Sequence, residues 1–350
     1  MAKNRLFNLP ETKGSFEIRG KISGVDKDNF YKEGVSTTGN KWRRINFGVN
    51  YDEHATVFVG LNGSPRDKVY FSKRNKEAKK PETKAVNWND RNKFNEDGYR
   101  LIGIGCGLEQ KRNEKGSIEN VNKTLVEYDA CEYMRDILED DMDVFVRGDI
   151  DFRSYENDKG EIRRSVNYTP KSIYACKAPI DFDAEDFEPR HEFKQTIVFR
   201  EITKEMEDDK ETGRFVVSAW IVKYSSIENA DFIIEDKSLA NLFKKNLKEY
   251  TSIDVHGKIN CRTIVETVTE EDCWGQRSEM DRVSHPVVRE MIITGAIPAS
   301  IDKSTYSEKE MNAAFEAIRK DKNAEENFGD SDASAWGDDS GMGEGDDLPW

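Results

Sequence analysis

Val144-Phe145-Val146-Arg147-Gly148-Asp149-Ile150 and Ile253-Asp254-Val255-His256-Gly257-Lys258-Ile259 share the wording V-x-G-x-I, and their reading decides the fold. Each alternates apolar and polar residues at the period of a strand. Each also follows a segment with helical spacing. Ile18-Arg19-Gly20-Lys21-Ile22 is a third, partial version near the start of the chain. A glycine inside a strand marks a tight bend or a close backbone approach, as a small barrel requires.

Working outward from the first copy, alternation predicts strands at 15–25, 41–51, 55–62 and 99–108. A helix follows at 129–139 with Ala130, Tyr133, Met134, Ile137 and Leu138 on one face, then strands at 142–152 and 161–176. Around the second copy the predicted strands are 192–202, 214–224 and 230–234. The helix there is 236–250 with Leu239, Leu242, Phe243, Leu247 and Tyr250 inward, and strands 252–264 and 287–297 follow. The order repeats: several strands, one helix, a glycine-bearing strand, a last strand. That is the order of the OB-fold, a five-stranded barrel with a helix before its fourth strand. The fold class is therefore mainly β with a few helices, tandem OB-fold-like barrels followed by a disordered acidic tail.

The predicted organisation is 1–178 as the first OB-like domain with an insertion at 63–98, and 179–191 as an acidic linker carrying Pro179 and Pro189. The second OB-like domain is 192–320. It ends in a helix at 307–319, where Ser307 and Glu310 form a capping box and Met311, Ala314, Phe315 and Ile318 form one apolar stripe. From 321 to 350 the chain is too poor in large apolar residues to offset its ordering entropy.

The net charge of −14 is unevenly spread: residues 1–180 carry +4, 181–323 carry −9, and 324–350 carry −9 with no base at all. Within 66–93 there are 10 bases against 4 acids. An acidic average thus does not exclude a polyanionic ligand. There is no run of about 20 apolar residues to span a bilayer and no apolar signal core. The expected setting is cytoplasmic, or the host cytoplasm for a phage-encoded chain, with no membrane contact. Cys106, Cys131, Cys176, Cys261 and Cys273 form no C-x-x-C pair, and no His lies at ligand spacing to another His or Cys, so neither cofactor nor metal is expected.

Alternation divides the predicted strand 41–51 into Arg43, Ile45, Phe47, Val49 and Tyr51 on the core side and Trp42, Arg44, Asn46, Gly48 and Asn50 on the other. A tryptophan beside an arginine over small, flat residues suits base stacking with phosphate pairing; a second core around Trp42 fits the same alternation. On the first strand Arg19 and Lys21 point away from the core. The insertion interleaves rings with cations, Tyr70, Phe71, Lys73, Arg74, Lys79, Lys80, Trp88, Arg91 and Phe94, with no clear apolar period. Long loops between OB strands track single strands in this manner; rings packed on the barrel are the other reading. Gly103-Ile104-Gly105-Cys106-Gly107 lacks the G-K-[ST] of a phosphate loop, and no nucleophile motif appears, so no enzymatic activity is expected.

Gly343-Glu344-Gly345-Asp346-Asp347-Leu348-Pro349-Trp350 closely resembles the acidic tip of bacterial and phage single-stranded DNA-binding proteins, which typically ends in Asp-Asp, an aliphatic residue, Pro and Phe. The resemblance is confined to this end of the chain. It implies an OB-fold body that coats and protects single-stranded DNA in replication, recombination and repair. It also implies a tip, here Asp346, Asp347, Leu348, Pro349 and Trp350, that docks on partner enzymes. The body is longer than the bacterial pattern and holds two OB units, so a phage-type member is the better comparison. A homodimer would supply four units. Two other readings are an adaptor or inhibitor that mimics the tail without binding DNA, and a strand-annealing protein.

Overall fold

The computed structural model describes residues 5–74, 80–114, 116–157, 160–207, 209–263 and 287–328. The first barrel begins with β1 (Gly14–Ser23), β2 (Tyr31–Val35), β3 (Lys41–Asp52) and β4 (Ala55–Gly63). An insertion follows, with β5 (Lys68–Lys73), β6 (Glu82–Asn87) and β7 (Arg100–Leu101); β8 (Ile104–Gly107) and β11 (Lys123–Leu125) then rejoin the main sheet, with the β9 (Gln110–Arg112) and β10 (Ile118–Asn120) pair between them. Helix α1 (Glu127–Ile137), β12 (Asp143–Glu156) and β13 (Ile162–Ala175) complete the unit. The second barrel is β14 (Arg190–Glu207), β15 (Lys210–Val222), β16 (Ile227–Ile234), α2 (Lys237–Asn246), β17 (Thr251–Thr263) and β18 (Val287–Asp302), capped by α3 (Glu308–Phe328).

Pairing closes both rings. In the first, β1 pairs with β3, β3 with β4, β4 in parallel with β13, β13 with β12, and β12 with β1. In the second, β14 pairs with β15, β15 with β16, β16 in parallel with β18, β18 with β17, and β17 with β14. One parallel closure among antiparallel neighbours is the OB arrangement read from the strand order. The inward phase of each strand forms the core, for example Ile45, Phe47, Val49 and Tyr51 on β3 and Ala230, Phe232 and Ile234 on β16.

The V-x-G-x-I repeat occupies equivalent places. Gly148 pairs with Phe16 and Gly257 with Phe193, and the register of the following strand slips beside each glycine. A Cβ on Gly148 would lie 1.9 Å from the Thr169 carbonyl oxygen, and one on Gly257 would lie 1.8 Å from that of Ile292. Both positions therefore exclude any side chain, and the bulge bends the barrel there.

The barrels join through their first strands. β1 and β14 run antiparallel from Gly14↔Gln195 to Arg19↔Arg190, placing Phe16 opposite Phe193 about a local pseudo-twofold. Tyr51 stacks on His191 at 4.2 Å, and its hydroxyl accepts from the Cys261 amide at 2.9 Å. The exchange is reciprocal: Arg164 on β13 meets Asp231 on β16 at 2.7 Å, and Arg262 on β17 meets Asp52 on β3 at 3.1 Å. Among the described residues, 13 strands share one continuous sheet.

Four expectations change. The 99–108 strand is broken into β7 and β8, and the insertion is a small three-stranded sheet rather than a loop. Phe243 is buried on α2 as expected, but Leu242 is exposed and Ala240 is buried, because at about 100° per residue the stripe centred on Phe243 takes in Ala240 and leaves Leu242 off its side. Helix α3 continues to Phe328, past the predicted start of the tail. Cys273 and residues 329–350, including the tip, lie outside the described residues.

Candidate nucleic-acid interface

In an OB barrel the outer face of the second and third strands, with the loops beside it, is where extended ligands lie. In the first barrel these strands are β3 and β4, and β2 widens the sheet by pairing with β3. Arg44 stands between Lys32 on β2 and Asn62 on β4, and Trp42 stands opposite Gly34. A Cβ on Gly34 would come within 2.9 Å of the Trp42 ring, so the indole lies against the bare backbone of β2. Asn46, with its amide oriented to satisfy both ends, accepts from Arg44 Nε at 3.2 Å. Trp42 and Arg44 are both partly buried.

The feature that sequence reasoning missed is Phe58. It lies in the outward phase of β4 and is 51% exposed. Its cross-strand partner is Gly48, and the next outward position on β4 is Gly60, so neither supplies a side chain to cover the ring. The signal was present in the alternation of 55–62: an aromatic occupies a phase otherwise held by Thr56, Gly60 and Asn62. The outward positions from Lys32 to Gly34 on β2, Trp42 to Asn50 on β3 and Thr56 to Asn62 on β4 carry no carboxylate. A bare ring, a cation pair and amide side chains on a flat sheet can stack bases and receive phosphates.

Lys21 borders this face opposite Asn50, and its ammonium lies 5.7 Å from the Phe182 ring of the connection between barrels. Arg19 is one outward position further along, opposite Phe145. The first-barrel core holds Cys106 and Cys131, whose thiols burial pushes up to about 12, leaving them protonated and unreactive near neutrality.

The insertion residues divide between two surfaces. Phe71 is buried at 5% exposure beside Val69 and Val126, with Trp88, Phe94, Tyr99 and Leu101 packed against them. Phe71 and Phe94 are 4.5 Å apart. Arg91 lies 4.2 Å over Trp88 and grips Asp129 of α1 through two bonds of 2.7 and 3.0 Å. Lys73 donates to the Asp97 carbonyl at 3.0 Å. Arg91 attaches the insertion to the helix, as does Arg66 with Glu127, while Lys73 holds within the insertion and Arg43 of β3 takes Glu132. Tyr70 lies on the opposite face of the small sheet and is exposed, as are Arg74, just past the end of β5, and Lys80. Lys79, like Asp346, Asp347, Leu348, Pro349 and Trp350, lies outside the described residues.

The family model described as YorF matches residues 13–331, from the start of the first barrel through α3. The chain belongs to the YorF family. The match spans both barrels and the insertion together. No curated protein matches the chain. Among solved structures, wild-type single-stranded DNA-binding protein from Thermus aquaticus aligns at 12% identity and a TM-score of 0.35, covering 72% of this chain and 87% of that one. A deletion mutant of the same protein aligns at 11% identity and 0.35, covering 74% and 98%. Similarity at that level carries no argument about this chain.

Proposed function

We propose that this YorF-family protein binds single-stranded DNA on the outer face of β2, β3 and β4, with 1–178 as the binding domain and 192–320 as its scaffold. The observation that carries the reading is Phe58, exposed between two glycines on a carboxylate-free face beside Trp42, Arg44 and Lys32. Stacking on such a ring contributes roughly 1–3 kcal/mol per base and accepts any base, since each has a π-face. Duplex DNA hides those faces, so a single strand is the preferred ligand. The expected role is to coat exposed strands during replication, recombination or repair. By the resemblance of its sequence, the acidic segment 324–350 recruits partner enzymes through Asp346 to Trp350.

Fluorescence anisotropy of a labelled oligo-dT against a duplex of the same length tests the reading. Tight, salt-sensitive binding of the single strand alone is the expected result. Equal affinity for the duplex would contradict it. Removing 324–350 should abolish capture of partner enzymes; retained capture would reject the role given to the tip.

A further inference from the structure

The small sheet of the insertion has two unlike faces. Its inner face buries Val69 and Phe71, and the carboxylates nearby are engaged on that side: Glu82 accepts from the Tyr99 hydroxyl, and Glu96 pairs with Lys84. The outer face, set by the register of β5 with β6 and β7, presents Tyr70 opposite Ala85, with Ser72 opposite Thr83 and Arg100. Tyr70 is 49% exposed among these small neighbours. Lys68 and Arg100 on that face, and Arg74 just past the end of β5, are exposed, and among the described residues none has a carboxylate partner. A three-stranded sheet with one bare ring on a floor of small side chains, with Lys68, Arg74 and Arg100 beside it, repeats the chemistry of the Phe58 face on separate strands.

We propose that this outer face is a second contact surface for the same single-stranded nucleic acid, which leaves the first barrel near Asn62 and continues over Tyr70. The inference rests on the reading of the Phe58 face and extends it. The charge complementarity favours a polyanion: an apolar partner would gain little from a surface of one ring and three cations. Tyr70 stacks a base, and Lys68, Arg74 and Arg100 receive phosphates.

The test compares short and long oligo-dT on the full chain, using Lys68→Ala/Arg74→Ala/Arg100→Ala, Tyr70→Ala and Phe58→Ala. Phe58→Ala should weaken both lengths. The triple variant should weaken only the long one, and its log K against log salt should flatten by about 0.7 for each phosphate that is no longer neutralised. Tyr70→Ala should weaken the long oligonucleotide about 5- to 150-fold, the ratio that corresponds to roughly 1–3 kcal/mol of stacking. Unchanged short-oligonucleotide binding shows that the variants are folded. Photo-cross-linking of a halogenated oligo-dU should label the peptide carrying Tyr70 as well as that carrying Phe58. Unchanged or tighter binding of the long strand by the triple variant, with Phe58→Ala still weak, would overturn this proposal alone. Failure of the parent chain to bind either length would overturn both readings.

Discussion

The two barrels have the same closure and the same glycine bulge, yet their outer faces are opposites. The registers equate Phe58 with Asp231, since Gly48 pairs with Phe58 in one barrel and Ser218 with Asp231 in the other. They equate Arg44 with Arg214 and Asn50 with Trp220. Asp231 accepts from Ser218 and pairs with Arg164 of the first barrel. Arg214 is held by Glu205 and Glu290, each at 2.6 Å. Trp220, 8% exposed, lies in a cluster with Phe7 and Leu9 of the N-terminal arm and Tyr306, Met311 and Ala314 from the region of α3. Thr12 fixes that arm to Val222 through bonds of 2.9 and 3.0 Å. The barrel architecture alone does not confer a binding face. The equivalent positions differ in what is left bare: Phe58 of the first barrel is open, whereas on the second Trp220 is covered and Arg214 and Asp231 are ion-paired.

Trp220→Ala should have the largest effect. It empties a packed aromatic site and should cost about 3–5 kcal/mol of stability. Phe58→Ala, at the exposed face, should stay within about 0.5 kcal/mol of the parent. Thermal or denaturant unfolding checks the pair, and equal losses would break the comparison. Next come Gly148→Ala and Gly257→Ala. Each forces a Cβ onto a backbone carbonyl oxygen and should cost roughly 1–3 kcal/mol. Similar losses in both would sharpen the equivalence of the barrels, and a loss in only one would refute it.

The smallest effect lies at the seam. Burial lowers the pKa of His191 below its ordinary 6.5, with Lys258 and Arg262 adding to the shift and the bond to the Ile259 carbonyl opposing it. The folded chain thus binds fewer protons there than the unfolded chain. The contribution is fully present above about 6.5 and is lost as pH falls through 6.5 toward the lower folded value. His191→Phe should flatten this part of the stability profile, measured by urea unfolding across that range. An unchanged slope would place the proton uptake elsewhere.

Much of the fold was legible in the sequence because period-two alternation and the V-x-G-x-I repeat report local geometry. The core phase of β3 and the stripe Met311, Ala314 and Phe315 on α3 follow from spacing alone. The insertion was less legible. Phe71, Trp88 and Phe94 come from separate short elements, so the core they build has no single period to read. For the same reason Arg91 read as a free cation, although it is bound to Asp129, a residue 38 positions away. Phe58 was hidden differently: in a strand of valines and a leucine an additional aromatic reads as core unless its phase, shared with Thr56, Gly60 and Asn62, is read separately. The contrast with Asp231 required the strand pairing of both barrels.

The most direct test of the central claim is anisotropy titration of labelled oligo-dT with the parent chain, Phe58→Ala and Asp231→Ala at one fixed salt concentration. The two substitutions change equivalent positions of the two barrels. The first should weaken binding by about 5- to 150-fold, corresponding to roughly 1–3 kcal/mol of lost stacking. The second should leave the affinity unchanged. Equal affinities for the parent and Phe58→Ala, or a loss on changing Asp231 instead, would contradict the assignment of binding to the first barrel.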